Sequence, residues 1–352
     1  MMKVRDAYYD NARFLLIFLV VLGHFIQSYI HDNKFIFSLY TTIYLFHMPA
    51  FILISGYFAK GFNRKGYLGK LVKKLIGPYL IFQGIYSFYY YFLQDKPLSN
   101  LDPLNPQWSL WFLLSLFFWN LLLFVFTKWN MKFSILFAFF LGVLVGYFDI
   151  INSYLSLSRT IVFFPLFLLG FYFKKEHFTK LRNHKIQFMS MLFFIGFFIV
   201  IYIGPEFEYK WLFGSKPFQV LGQEGLKAGL IRLTIYGLTL LAIVSFLALV
   251  PKKNLFFTKW GTRTIYIYLL HGFFIQYFRN SEWVNLINKP WQISLLILAT
   301  FILTAFLASN FTKKVTQPLI EFRIPQRFLD AYNSVKHTIG KKKMEEGKIP
   351  HI

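Results

Sequence analysis

The sequence contains no cysteine among its 352 residues. This absence excludes disulfide bonds, thiolate metal sites and a cysteine nucleophile, although it says little about the cellular compartment. Charged residues are scarce, at 15% of the chain, whereas a soluble domain carries about 25%. Hydrophobic residues make up 56% and aromatic residues 22%. Together with a mean hydropathy of +0.48, this composition predicts an all-α protein that crosses a membrane several times.

Three common catalytic motifs are also missing. The chain has no GxxxxGK[ST], no HExxH and no GxSxG. A nucleotide-driven pump, a zinc protease and an ordinary serine hydrolase are therefore excluded as interpretations.

Acidic residues are few, 15 against 38 lysines and arginines, so the formal net charge is +23. A charge of this size is typical of nucleic-acid binding, but the basic residues lie in short clusters between apolar runs. That distribution encodes membrane topology and suits anionic headgroups. We expect membrane lipids as partners and no nucleic acid.

Long apolar runs recur along the whole chain, and a bilayer core needs roughly 20 helical residues to cross it. We predict ten spans, of which the fifth, sixth and ninth are short. They lie at about 13–31, 36–58, 74–93, 107–126, 133–148, 159–173, 186–204, 229–249, 264–280 and 291–311.

The loops between these spans indicate their orientation. With the N-terminus in the cytoplasm, 28 of the 38 basic residues lie inside and 8 outside, alternating correctly through every loop. We expect both termini in the cytoplasm and an uncleaved first span. The predicted organisation is a ten-helix membrane domain at 1–311 and a basic cytoplasmic tail at 312–352.

Three ionisable residues occupy the otherwise apolar first span. Arg13 and His24 are 11 residues apart, within about 20° of three full turns, and therefore project from one helix face about 16 Å apart. Asp10 lies one turn before Arg13 on the same stripe. Lipid contact for the arginine and a helix–helix hydrogen bond for the histidine would be a structural explanation. The chemical explanation is a cation that holds a phosphorylated carrier near the cytoplasmic surface and a mid-membrane imidazole that deprotonates a hydroxyl.

The segment YYDNARFLLIFLVVLGH (8–24) resembles the opening signature of the acyltransferase-3 family of integral-membrane O-acyltransferases, in which an arginine and a histidine are separated by ten residues. Four later segments are similar to further family motifs in the same order. They are FHMPAFILISGYF (46–58), SLWFLLSLF (109–117), RTIVFFPLFLLGFYF (159–173) and TRTIYIYLLHGFF (262–274). The fucose 4-O-acetylase-like subgroup is the most similar in character.

This resemblance implies transfer of an acyl group, most simply acetyl, from acyl-CoA to a hydroxyl of a cell-envelope or secreted glycan, in the bacterial plasma membrane. Arg13 and Asp10 would bind the acetyl-CoA co-substrate, aided by the six cations of 59–78. His24 would be the general base and His47 would orient or share its proton. Direct transfer and a covalent relay on a Tyr or Ser stay open, and so does the oligomeric state.

His24, His47 and His271 come from three helices and have comparable predicted depths. Three histidines are able to hold zinc, but we expect no metal and assign His271 to substrate binding. The small residues Ser55 and Gly56 predict a close approach between helices.

A second group of residues lies near the predicted outer ends of the spans. Trp108, Trp111 and Arg159 suit carbohydrate, and we assign them to substrate binding, although interface anchoring would also explain the tryptophans. The outer loop 210–229 is expected to shape the mouth of this site. A continuous polar corridor is expected to join Arg13 to His24.

Two transport functions stay open on the sequence alone. Ten helices with intramembrane histidines also suit an exporter or flippase for polysaccharide or lipid-linked glycan. A proton-coupled transporter for small molecules fits less well, because the spans contain almost no carboxylates.

Overall fold

A computed structural model describes residues 5–94, 102–151, 154–287 and 289–323. Within these ranges the chain is mainly helical, with short 3₁₀ segments, one π-helical turn at Val72–Ile76, connecting loops and no strand. Thirteen α-helices are present in the described ranges. They are α1 (Ala7–Ile26), α2 (Lys34–Phe58), α3 (Tyr67–Leu71), α4 (Gly77–Gln94), α5 (Trp111–Phe126), α6 (Met131–Leu144), α7 (Leu157–Tyr172), α8 (Lys175–Lys180), α9 (His184–Ile203), α10 (Gly225–Leu249), α11 (Thr264–Arg279), α12 (Ile293–Leu307) and α13 (Asn310–Glu321).

Each of the ten predicted ranges contains one of these helices, and the molecule is a multi-pass membrane protein. Among the described residues, six helices are long and apolar enough to cross a bilayer, and α12 with α13, bent by 63°, would make a seventh. The count of ten spans and the position of the termini therefore stay predictions.

Side-chain caps set the beginnings of the first two long helices. The Asp6 carboxylate accepts a hydrogen bond from the backbone N–H of Tyr8, and α1 begins between them. The Asn33 side chain likewise accepts from the N–H groups of Phe35 and Ile36 at the start of α2. These caps satisfy backbone donors that have no partner within the helix.

Helix α2 lies at the centre of the bundle, against α1, α7, α9 and α10. Its contact with α7 is close enough that a Cβ on Gly56 would lie 2.0 Å from the Phe167 carbonyl oxygen. On α7, a Cβ on Gly170 would lie 1.9 Å from the carbonyl oxygen of Leu53. The two backbones therefore touch at both glycines, which confirms the close approach predicted at Gly56.

The described end of the chain folds back onto the bundle. In α13, Thr312 and Ile320 are buried, and the Tyr266 hydroxyl of α11 donates a 2.6 Å hydrogen bond to Glu321. The predicted tail, 312–352, therefore begins inside a packed helix. Its part from 324 onward lies outside the described residues.

Candidate active site

A cavity of about 210 Å³ lies among α1, α2, α5, α7 and α11. Five of the predicted site residues line it, namely His24, His47, Trp108, Trp111 and Arg159. The remaining lining residues are Val20, Gln27, Tyr44, Met48, Ser109, Phe163, Leu212, Phe213 and Tyr268. Leu212 and Phe213 come from the outer loop 210–229 that was expected to shape the site.

His24 lies in the last turn of α1, whereas the sequence placed it near the middle of the span. The difference arises because α1 ends at Ile26, before the predicted end of the span at about 31. The His24 Nδ1 is 3.2 Å from the hydroxyl of Tyr44, and the ring is half-buried. Its own carbonyl oxygen accepts a 2.6 Å hydrogen bond from Arg279, which also donates to Gln27. The end of α1 is thus fixed by a guanidinium.

The pattern Ile-Tyr-Leu-X-His occurs twice, as IYLFH at 43–47 in α2 and as IYLLH at 267–271 in α11. In both copies the histidine Nδ1 hydrogen-bonds to the isoleucine carbonyl four residues earlier, at 2.8 Å for His47 and 3.0 Å for His271. A carbonyl only accepts, so Nδ1 carries the proton and Nε2 is left as the basic nitrogen.

His271 does not line the cavity but supports it from behind. It is fully buried, and its ring stacks on that of His24 with centroids 5.5 Å apart. The centroid of the Trp108 ring lies 4.4 Å from that of the His24 ring and 5.2 Å from that of the His271 ring. The structure therefore joins the third histidine to the same cluster, and its assignment to substrate binding stays a prediction.

The backbone of Trp108 has a φ of 40°, in the left-handed region that side-chain-bearing residues rarely adopt. Its ring lies over Gly272, where a Cβ would be 2.5 Å from the indole. Glycine at this position makes room for the tryptophan beside His271.

Arg159 enters the cavity from the first turns of α7. Its Nε donates a 3.3 Å hydrogen bond to the Phe213 carbonyl, and its guanidinium lies 4.9 Å from the centroid of the Trp111 ring. In the described part of the chain neither Arg159 nor Arg279 forms an ion pair with a carboxylate. Two cations therefore flank the cavity without neutralisation, and they favour a ligand that carries or develops negative charge.

Arg13 and Asp10 lie toward the start of α1, away from this cavity. The Arg13 Nη1 is 3.4 Å from the Asp10 carboxylate, which Arg5 also contacts at 2.6 Å. The Arg13 guanidinium lies 4.4 Å from the Phe58 ring centroid. Neither Arg13 nor Asp10 lines the histidine cavity, so the coaxial placement is observed but a shared cavity is not.

A second cavity, of about 160 Å³, adjoins the first and shares Val20, Met48 and Tyr268 with it. Ile17, one turn after Arg13, lines this second cavity, so the two cavities extend along α1 from Ile17 to His24. Most of its other walls are apolar side chains, among them Phe51, Leu75, Phe112, Leu113, Leu116 and Ile265. The prediction of a polar corridor between Arg13 and His24 is therefore wrong, because the space between them is lined mainly by apolar side chains.

The described side chains contain no group of three or more His, Cys, Asp or Glu residues placed to hold a metal ion. His24 and His271 stack face to face, which directs neither ring nitrogen toward a common centre. The arrangement suits proton transfer between a base and a hydroxyl.

Sequence reasoning missed Tyr44, Tyr268, Ser109, Gln27 and Arg279. The two tyrosines could have been found, because each lies three residues before a histidine and therefore on the same helix face. Gln27 could have been found in the same way, since it lies three residues after His24. Ser109 and Arg279 depend on which loop or helix end packs against α1, and local spacing does not encode that.

A family model described as an acyltransferase domain matches residues 6–309. Nodulation protein NolL of Sinorhizobium fredii is 29% identical over 208 residues, which are 53% of this chain and 54% of that protein. Nodulation protein NolL of Mesorhizobium japonicum is 39% identical over 83 residues, 22% of each chain. The chain thus aligns with about half of the first curated relative's length and less of the second's. No solved structure matches.

Proposed function

The chain belongs to the acyltransferase-3 family, and from that premise we propose that it is an O-acyltransferase, most simply an O-acetyltransferase. Acyl-CoA is the donor and co-substrate, and the acceptor is a hydroxyl of a cell-envelope or secreted glycan. The observation that carries this proposal is the single cavity that His24, His47 and Arg159 line from three helices. The proposed location is the bacterial plasma membrane.

The reaction begins at the acceptor hydroxyl. Its oxygen attacks the thioester carbonyl carbon while its proton passes to Nε2 of His24, in the tautomer in which Nδ1 carries the hydrogen and faces the Tyr44 oxygen 3.2 Å away. The bond between the carbonyl carbon and sulfur then breaks, and the coenzyme A thiolate leaves and takes up the proton. His47 offers a second basic Nε2 in the same cavity and shares that proton.

Negative charge develops on the thioester oxygen during this attack. Arg159 lines the cavity, and its guanidinium forms no ion pair with a carboxylate among the described residues. It is therefore placed to stabilise that charge or to bind the acceptor. Trp108 and Trp111 offer flat apolar faces to a sugar ring.

The donor is proposed to enter from the predicted cytoplasmic side. Arg13, held by Asp10, lies one turn before the smaller cavity and binds the coenzyme A phosphates with the cations of 59–78. The smaller cavity suits the slender pantetheine arm, because its walls are mainly apolar and it adjoins the histidine cavity. If transfer runs through a covalent relay, Ser109 is the candidate, since it lines the cavity and its buried Oγ has no hydrogen-bond partner in the described chain.

The test compares cells that carry wild type, His24→Ala, Arg13→Ala and the control His184→Ala, which changes an exposed histidine at the start of α9. Ester-linked acetate on surface glycans is measured by mass spectrometry at matched membrane levels of protein. We expect loss of about 100-fold or more for His24→Ala, a large loss for Arg13→Ala and no change for the control. Unchanged acetylation in His24→Ala would end the catalytic assignment.

A further inference from the structure

A long apolar groove of about 650 Å³ runs along the outside of the bundle between α9 and α10. Leu192 and Val200 form one wall and Leu230 and Leu238 the other. Ser190 is the one buried residue of α9 among those described; this helix packs on α2 and α10 along one half-buried side, and its exposed side leaves the groove open to the lipid. At its base lies Gly196, where a Cβ would meet nothing within 4 Å.

The groove reaches inward to the catalytic cavity. Leu212, which lines the histidine cavity, also lines the groove. Leu212 therefore borders both the lipid-facing groove and the cavity that His24 and Arg159 line.

The groove also continues outward into a polar cleft of about 520 Å³. Ile201 and Phe207 line both spaces. Beyond them the cleft presents acidic and basic side chains beside the Tyr209 ring, namely Asp32, Glu206, Glu208, Lys34 and Lys210. Carboxylates and an aromatic face suit sugar hydroxyls and sugar rings. Hydrocarbon and polar surfaces thus meet at the loop that carries Leu212.

Lys227, in the first turn of α10, is the one charged side chain among the described residues that line the groove. It is exposed and lies at the end of the groove nearest the polar cleft. A cation at the border between an apolar groove and a polar cleft, with Lys34 and Lys210 in the cleft beyond it, matches the phosphate that joins a lipid chain to a sugar.

We propose that this groove binds the hydrocarbon chain of a lipid-linked acceptor, with the linking phosphate at Lys227 and the glycan in the polar cleft. This inference rests on the proposed function and narrows its substrate to a glycan still attached to a membrane lipid. Ordinary bilayer lipid fills any apolar groove. This groove differs because it borders the polar cleft on one side and the reaction cavity on the other. Only an amphipathic acceptor would occupy the groove, the cleft and the cavity together.

The test is photo-labelling of the purified full-length protein in phosphatidylcholine nanodiscs. The probe is a long-chain isoprenyl phosphate that carries a diazirine on its chain. Labelled peptides are located by mass spectrometry, with unlabelled isoprenyl phosphate or phosphatidylglycerol as competitor. Gly196→Phe fills the groove, and Gly237→Phe is its matched control, because a Cβ at Gly237 also meets nothing within 4 Å and Gly237 does not line the groove.

We expect label on α9 and α10 that isoprenyl phosphate displaces and phosphatidylglycerol does not. Gly196→Phe should lose most of it, Gly237→Phe should retain it, and Lys227→Gln should weaken the preference for the phosphate probe. Leu230→Trp, at an exposed groove position, provides a second blocking variant if Gly196→Phe does not fold. Equal competition by phosphatidylglycerol, equal loss in both glycine variants, or cross-links between two copies along α9 would overturn the proposal.

Acetyl transfer is measured on the same samples with lipid-linked glycan and with the glycan released from its lipid by mild acid. Equal rates of acetyl transfer to the lipid-linked and the released glycan would overturn this inference alone. Selective labelling without any transfer from acetyl-CoA overturns the proposed function alone.

Discussion

The two Ile-Tyr-Leu-X-His segments, 43–47 in α2 and 267–271 in α11, have the same local structure and different surroundings. Each histidine donates Nδ1–H to the isoleucine carbonyl one turn earlier. His47 lines the cavity, whereas the Nε2 of His271 is buried without a hydrogen-bond partner in the described structure. The shared hydrogen bond leaves Nε2 as the basic nitrogen in both histidines. The two differ in access, because the cavity is lined by His47 and not by His271.

The largest difference between the segments should appear when each histidine is removed. His47→Ala should lower acetyl transfer by about 100-fold, because a basic nitrogen is lost from the cavity. His271→Ala should lower it less, because only packing behind His24 changes. Ester-linked acetate and protein level are measured together, and equal losses in the two variants would erase the distinction.

The residue after each histidine also differs, Met48 in α2 and Gly272 in α11. Gly272→Ala places a Cβ 2.3 Å from the Tyr86 hydroxyl and 2.5 Å from the Trp108 ring. Displacement of that indole should reduce transfer by about 10-fold or more and lower stability by about 1–3 kcal/mol. Thermal unfolding in nanodiscs measures the second effect. Gly84→Ala is the control, since its Cβ meets nothing within 4 Å, and a matching loss there would refute the steric explanation.

The tyrosines of the two segments bond to different partners. Tyr44 contacts the His24 ring, whereas the Tyr268 hydroxyl donates to the backbone carbonyl of Ser109. Tyr44→Phe should lower transfer about fivefold, the equivalent of one hydrogen bond of about 1 kcal/mol. Tyr268→Phe should cost stability of similar size and leave the transfer rate nearly unchanged. A larger kinetic effect at Tyr268 would assign it a role in the reaction.

The smallest effect is expected from His271→Phe. Phenylalanine keeps a flat ring against His24 and Trp108 and removes a buried nitrogen that lacks a partner. Such a replacement should change stability by no more than about 1 kcal/mol and keep transfer within about threefold of wild type. His47→Phe is the comparison and should be inactive. Inactivity of His271→Phe at normal protein levels would show that its Nε2 takes part in the chemistry.

The fold was predictable to the extent that apolar runs report helices in lipid. All ten predicted ranges contain helices, and the contact at Gly56 follows from small residues in an apolar span. Helix beginnings were less predictable, because polar residues such as Tyr8 and Asp10 belong to α1 although a lipid-based prediction excludes them. The end of α1 was also misplaced, because the prediction ran to about 31 whereas the helix ends at Ile26, which puts His24 in its last turn.

The candidate site was predictable where motifs carry it. His24, His47, Trp108, Trp111 and Arg159 all line one cavity, although their chemical roles stay predictions. The apolar passage beyond Arg13 was not foreseeable, since Phe112 and Ile265 come from helices whose neighbours no local pattern specifies. Arg279 was missed for the same reason, because its contact with His24 joins positions 255 residues apart.

The touching backbones at Gly56 and Gly170 leave α2 and α7 no freedom to slide past each other. Because α2 carries His47 and α7 carries Arg159, the distance between this base and this cation should stay constant throughout a turnover. Movements that admit a substrate or release a product must then come from other elements, such as the largely exposed helix α9, so we expect a rigid reaction frame with a mobile flank.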